Sequence, residues 1–167
     1  SPTPRALHPG RRRARPLPAT RAGTRRDCPA VLVALAGGVG AARFLRGLVD
    51  VVDPSSVTAI VNTADDDEFH GLRVSPDLDS VTYTLAGAHN DVTGWGLAGE
   101  TFTVMDALDR YGAPTWFRLG DRDLGTHLFR TQRLRGGATL TEVTAEITAA
   151  WGLATRLLPM TDDPVST

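Results

Sequence analysis

Residues 31 to 48 read VLVALAGGVGAARFLRGL, and the order of residue types in this stretch decides the fold. Val31 to Ala36 is continuously apolar, of strand length and closed by glycine, which predicts the central strand of a parallel sheet. Phe44, Leu45, Leu48 and Val52 then recur at helical spacing, so an amphipathic helix follows the turn. Strand, glycine turn and helix in that order make an anion cradle. Gly37, Gly38 and Gly40 let backbone N–H groups approach a phosphate at the positive end of the helix dipole. Arg43, expected on the first helical turn, adds a charged donor. The spacing is G-x-G-x-x-R, so the third glycine of the dinucleotide fingerprint is absent and no Gly-Lys-Ser/Thr follows to make a P-loop. A turn that uses glycine only for its dihedral freedom reads the same way.

Working outward, Val57 to Val61 is β-branched and apolar between Asp53-Pro54 and Asn62-Thr63, which predicts a second parallel strand. Its carboxyl end carries NTADDDEFHG, Asn62 to Gly71, at the rim where open α/β sheets bind ligands. Asp65, Asp66, Asp67 and Glu68 there suit Mg²⁺ or a ribose, or form a solvated acidic loop. SPDLDSVTYTLAG, Ser75 to Gly87, predicts a helix with Ser75 at the N-cap, Pro76 in the first helical position and Gly87 past the end. Leu78, Val81 and Leu85 give it an apolar face, and Asp77 and Asp79 lie in its first turn, where the dipole favours carboxylates. Two acids beside a presumed phosphate site point to function for at least one of them.

Trp95, in a glycine-rich loop over residues 88 to 100, either caps a planar ligand or plugs the core. A core helix is expected over Thr101 to Tyr111, burying Phe102, Met105 and Leu108. Trp116, Phe117 and Leu119 suggest a short strand ending in a charged loop, Gly120-Asp121-Arg122-Asp123, with Arg118 and Arg122 available to an anion. A helix through His127 follows, His127 being read as structural. Thr139 and Glu142 form a capping box for the next helix, and Leu157, Leu158 and Met160 suggest a last strand. MTDDPVST, with Asp162 and Asp163, hangs from its end.

All 18 basic residues are arginine, and they are unevenly shared: residues 1 to 26 hold eight of them with no acid, while the rest of the chain holds all 19 acids. The proline- and arginine-rich residues 1 to 26 are expected to be a disordered arm, and residues 27 to 167 one folded unit. The arm has no interleaved aromatic to stack bases, so nucleic acid is not an expected partner. The single cysteine, Cys28, excludes an internal disulfide and a cysteine-based zinc site. No apolar run approaches membrane-spanning length, so no membrane partner is expected and a cytoplasmic location is.

Together LAGGVGAARFL, VNTADD, SPDLDSV, RLGDRDLGTH and LLPMTDDPVST resemble the 2-phospho-L-lactate transferase family, called phosphoenolpyruvate transferase in its bacterial branch, which acts in coenzyme F-420 biosynthesis. The resemblance runs from about Val31 to Thr167. The family is longer, so the chain is expected to be its N-terminal part, a fragment that need not be active alone. The resemblance implies a Rossmann-like α/β fold, a mostly parallel sheet with flanking helices. It implies a Mg²⁺-assisted transferase moving a phospho-lactate or phospho-enolpyruvate moiety from a guanosine diphosphate-linked donor to a deazaflavin, with GMP leaving. Asp79 and Arg118 would then contact the deazaflavin, Asp79 orienting or deprotonating its ribityl hydroxyl, and Gly37, Gly38 and Gly40 would face the donor phosphates. Asp77 and Asp65 are the candidates for magnesium. A homodimer at full length is a further expectation. The alternative is a related Rossmann-like family of non-enzymatic nucleotide-sugar-binding regulators, whose acidic loop resembles ADDGGSSG where this chain has ADDDEFHG. An NAD-linked oxidoreductase, suggested by the glycine turn alone, lacks the third glycine.

Overall fold

A computed structural model describes residues 31–165, so the expectations for the arm, Cys28 and the last two residues lie outside the described residues. Three strands, β1 (Leu32–Ala36), β2 (Val57–Val61) and β5 (Arg156–Pro159), form a parallel sheet in the order β1-β2-β5. The register pairs Leu32 with Val57 through Ala36 with Val61, and Thr58 with Arg156 through Val61 with Pro159. The Rossmann-like α/β expectation thus holds for a short parallel sheet flanked by helices.

One correction concerns β1. Among the described residues it is an edge strand, and β2, whose Val57, Ala59 and Val61 are fully buried, is the centre. Ala34 and Ala36 of β1 face the core, whereas Leu35 is 83% exposed. The continuous apolar run calls for cover on both faces, and the described residues cover only one.

The covered face packs on α1 (Val39–Val49), α2 (Pro76–Leu85) and α5 (Leu140–Ala150) through Leu45, Leu78, Val81 and Leu140. A second cluster, Val74, Met105, Leu119 and Leu124, joins α3 (Thr103–Arg110) and α4 (Asp121–Arg135) to an antiparallel hairpin. That hairpin, β3 (Asp67–Phe69) and β4 (Leu72–Val74), takes its first strand and its turn from what reads in sequence as an acidic loop. Its two-residue turn places His70 at φ 53° and Gly71 at φ 75°, a conformation that glycine accepts readily.

Two further expectations change. Residues 115–120 form no strand, and Phe102 is not buried but lies under the Arg118 guanidinium, 5.0 Å from its ring centre. The capping box of α5 is present in full: the Thr139 hydroxyl accepts the Glu142 N–H, and Glu142 accepts the Thr139 N–H.

Candidate functional site

Parallel strands send their carboxyl ends to one edge, which gathers three loops: Gly37-Gly38 after β1, Asn62 to Asp66 after β2, and Met160 to Asp163 after β5. At this edge α1 begins without a side-chain cap and without an acid in its first turn, so its leading N–H groups are free for an anion. Gly38 lets the Asp77 carboxylate approach closely. A Cβ there would stand 2.7 Å from Asp77 Oδ1. Gly40 faces open space and carries no such constraint. Arg43 is the fifth helical residue, one turn later than expected, and its guanidinium reaches the 88–100 loop beside Gly94.

The Asn62 amide donates to Asp77 Oδ2 at 2.9 Å and to Asp65 Oδ2 at 3.3 Å, so one neutral side chain draws the two acids together. Asp65 is exposed and Asp77 half-buried. The structure therefore joins Gly37, Gly38, Asp65 and Asp77 in one place.

Two residues further along α2, Asp79 is in a different environment. It is buried and takes Arg130 Nη1 on Oδ2 at 3.1 Å and Arg130 Nη2 on Oδ1. Burial is the largest influence and works against the Arg130 charge, but Asp79, joined by Tyr83 and Asp66, raises the guanidinium above its ordinary range. His127 turns Nδ1 to Arg130 Nη1 at 3.2 Å and Nε2 towards Asp123 Oδ2 at 3.3 Å. Tyr83 donates its hydroxyl to Asp123 Oδ1 at 2.6 Å. Although burial opposes the Asp123 charge, His127, Tyr83 and Arg130 hold its carboxyl below the usual range. Burial, then the charges of Asp79 and Asp123, push the Tyr83 phenol up. Ligand atoms of Asp79, Asp123 and His127 all lie within 4.8 Å of one another, so this buried group could hold a metal.

A cavity of about 350 Å³ opens over both clusters, with Gly38, Asp77, Asp79 and His127 on its polar side and Trp95 and Phe117 on its apolar side. Trp95 lies nearly parallel to Phe117, at 14° and 6.0 Å between ring centres, and Phe117 stacks in turn on Phe69 at 4.5 Å. Trp95 remains partly exposed, so it lines the cavity instead of plugging the core.

The charged motif after residue 119 is wired into the fold. Asp121 accepts the Thr101 hydroxyl and the Thr103 and Val104 N–H groups, which drop its carboxyl to about 2. Glu100 in return takes the Arg122 and Asp123 N–H groups at the start of α4. Arg122 Nη1 donates to the Ala98 carbonyl, and Arg118 pairs with Asp106 at 2.8 Å. Arg118 thus lies outside the cavity wall and is not brought to Asp79.

Sequence reasoning missed Arg130 and Tyr83 as site residues, read His127 as structural, and took Asp123 only as part of a charged loop. The available signal was helical spacing. Asp79 and Tyr83 are four apart on α2, and Asp123, His127 and Arg130 are four and then three apart on α4, which puts each set on one face.

The family model described as 2-phospho-L-lactate transferase CofD matches residues 32–167. The phosphoenolpyruvate transferase of Thermobifida fusca (strain YX) is 52% identical over 145 residues, covering 81% of this chain and 45% of the relative. That of Kitasatospora aureofaciens is 51% identical over 138 residues, covering 81% and 43%. That of Mycobacterium tuberculosis (strain ATCC 25177 / H37Ra) is 46% identical over 147 residues, covering 80% and 44%. The chain therefore spans less than half the length of these relatives. A solved structure of a UPF0052 family member from Bacillus halodurans aligns at TM-score 0.48 and 19% identity, over 78% of this chain and 39% of that one.

Proposed function

Because this chain belongs to the 2-phospho-L-lactate transferase CofD family, we propose that the full-length protein moves a phospho-lactate or phospho-enolpyruvate moiety from a guanosine diphosphate-linked donor to the deazaflavin 7,8-didemethyl-8-hydroxy-5-deazariboflavin. The observation that carries this reading is the junction of an uncapped helix N-terminus, the Asp65–Asn62–Asp77 group and an aromatic-walled cavity at one sheet edge. The identities of 46 to 52% to phosphoenolpyruvate transferases favour it over a nucleotide-sugar-binding regulator.

The acceptor's ribityl hydroxyl attacks the phosphorus that bears the small acid. The bond from that phosphorus to the GMP oxygen breaks, GMP leaves, and the hydroxyl proton passes to solvent. Gly37, Gly38 and the first N–H groups of α1 hold the donor phosphates, with Gly40 leaving the helix surface open to them and Arg43 adding charge from the next turn. Trp95 and Phe117 offer flat faces to the deazaflavin, and Asp79 orients or deprotonates the attacking hydroxyl. For Arg118 to reach the acceptor, it would have to leave Asp106 and Phe102.

Asp65 and Asp77 are the residues that would hold Mg²⁺. Their all-oxygen donor set is the kind this ion takes, and the lack of a Cβ on Gly38 keeps room for the Asp77 carboxylate. Bound there, Mg²⁺ would absorb charge on the transferring phosphoryl oxygens. The Asp79, Asp123 and His127 group suits this ion less well, because it includes a nitrogen ligand and already contains the Arg130 cation.

The test is GMP release by the full-length protein given the deazaflavin and a lactate- or enolpyruvate-bearing donor, with the phosphorylated deazaflavin measured beside it. Equal amounts of both products are expected. Bound deazaflavin with neither product would favour a binding protein.

A further inference from the structure

Among the described residues Arg130 is the one buried arginine, at 2% exposure. A guanidinium can be kept in such a place only if carboxylates and other acceptors meet its donors. Asp79 accepts Nη1 and Nη2 on separate oxygens, the parallel two-point pairing that fixes a carboxylate plane. Nη1 also reaches the Arg73 carbonyl at 3.4 Å and His127 Nδ1 at 3.2 Å. On its other side His127 turns Nε2 towards Asp123 Oδ2 at 3.3 Å, a contact short of a hydrogen bond. Asp123 is held from its other oxygen by Tyr83. A chain of contacts therefore runs from Tyr83 through Asp123, His127 and Arg130 to Asp79, and α2 supplies both of its ends.

We propose that Arg130 is the positioning residue of this site, its two-point hold presenting Asp79 to the cavity as a fixed hydrogen-bond acceptor for the attacking hydroxyl. The inference rests on the transferase reading and narrows it. Each Asp79 oxygen keeps a second lone pair for a ligand hydroxyl while it holds Arg130, so the two-point pairing gives Asp79 the geometry to orient that hydroxyl. His127 acts one step further back, filling the side of Arg130 that Asp79 leaves open.

The test compares Arg130→Gln, Asp79→Asn and the double variant in the full-length protein, reading kcat, KM for the deazaflavin, deazaflavin Kd by fluorescence, and the circular-dichroism melt. The double variant removes both charges of the Arg130–Asp79 pair together, so neither is left facing a missing partner, and it remains informative where a single variant folds poorly. If Arg130 acts through Asp79, each single change lowers kcat about 10- to 100-fold, and the double variant falls within about twofold of Asp79→Asn. Arg130→Lys, which keeps the charge without the fork, stays at least about tenfold down. Losses that multiply in the double variant, or full kcat in Arg130→Lys, would overturn the assignment even while wild-type GMP release upholds the transferase reading. A wild type that binds deazaflavin and releases no GMP sinks the transferase reading, and the same cycle read in Kd then decides whether Arg130 acts through Asp79.

Discussion

Asp77 and Asp79 stand two residues apart on one helix and line one cavity, yet their surroundings are opposite. Asp77 is half-buried and held by the neutral amide of Asn62, with exposed Asp65 as its neighbour. Asp79 is buried and clamped by a fully buried guanidinium. Two acids held by an amide keep unspent charge for an exchangeable cation, whereas a carboxylate locked to arginine offers direction and little else. The partner side chain separates the two roles.

The sharpest way to break this contrast is Asp79→Ala. It strands the Arg130 charge in the interior and is expected to cost about 3–5 kcal/mol in a urea melt. Asp77→Asn in the full-length protein should instead leave the melt within about 0.5 kcal/mol, as expected of a substitution outside the core. Its GMP release is expected to fall about 100-fold or more, because metal-borne charge stabilisation is worth several kcal/mol. Equal stability losses in the two variants would erase the distinction.

Asp66 lies between these regions and sharpens the comparison through pH. It accepts the Ser75 hydroxyl on Oδ2 at 2.7 Å, its Oδ1 has no partner, and burial raises its carboxyl to about 6. Its folded value lies above the unfolded one, so the native state binds the proton more tightly, and the cost of its charge is relieved as pH falls from 7 through 6. Wild-type stability should gain about 1–3 kcal/mol from this group between pH 7 and 5, and Asp66→Asn should flatten that rise. A wild-type melt that does not rise on acidification would contradict the burial argument. The smallest effect is expected at Arg118, whose exposed pair with Asp106 makes Arg118→Ala worth less than about 1 kcal/mol in stability. A large rise in KM for the deazaflavin in that variant would show that Arg118 leaves Asp106 to meet the acceptor.

Local patterns carried the fold well. The glycine turn, the Ser75-Pro76 helix start and the Thr139/Glu142 box each depend on residues within a few positions of one another, and each formed at the predicted place, although the Ser75 hydroxyl donates to Asp66 instead of capping α2. What escaped was set by distant partners. Nothing near Val33 or Leu35 tells a central strand from an edge one. The charged loop from Gly120 to Asp123 reads as open to a ligand until Thr101 and Tyr83, 20 and 40 positions away, are seen to donate to the Asp121 and Asp123 carboxylates, and Glu100 to accept the Asp123 N–H. The helical spacing of Arg130 from Asp123 and His127 is a weak signal because an arginine on a helix is ordinarily solvated, and only its 51-residue reach to Asp79 makes it exceptional.

The division of labour is tested most directly by titrating the full-length protein with Mn²⁺ as a magnesium probe, followed by electron paramagnetic resonance in wild type, Asp77→Asn and the Asp79→Asn/Arg130→Gln pair. The account predicts that binding is lost in Asp77→Asn and kept in the pair. Binding kept in Asp77→Asn and lost in the pair would place the ion among Asp79, Asp123 and His127 and contradict it.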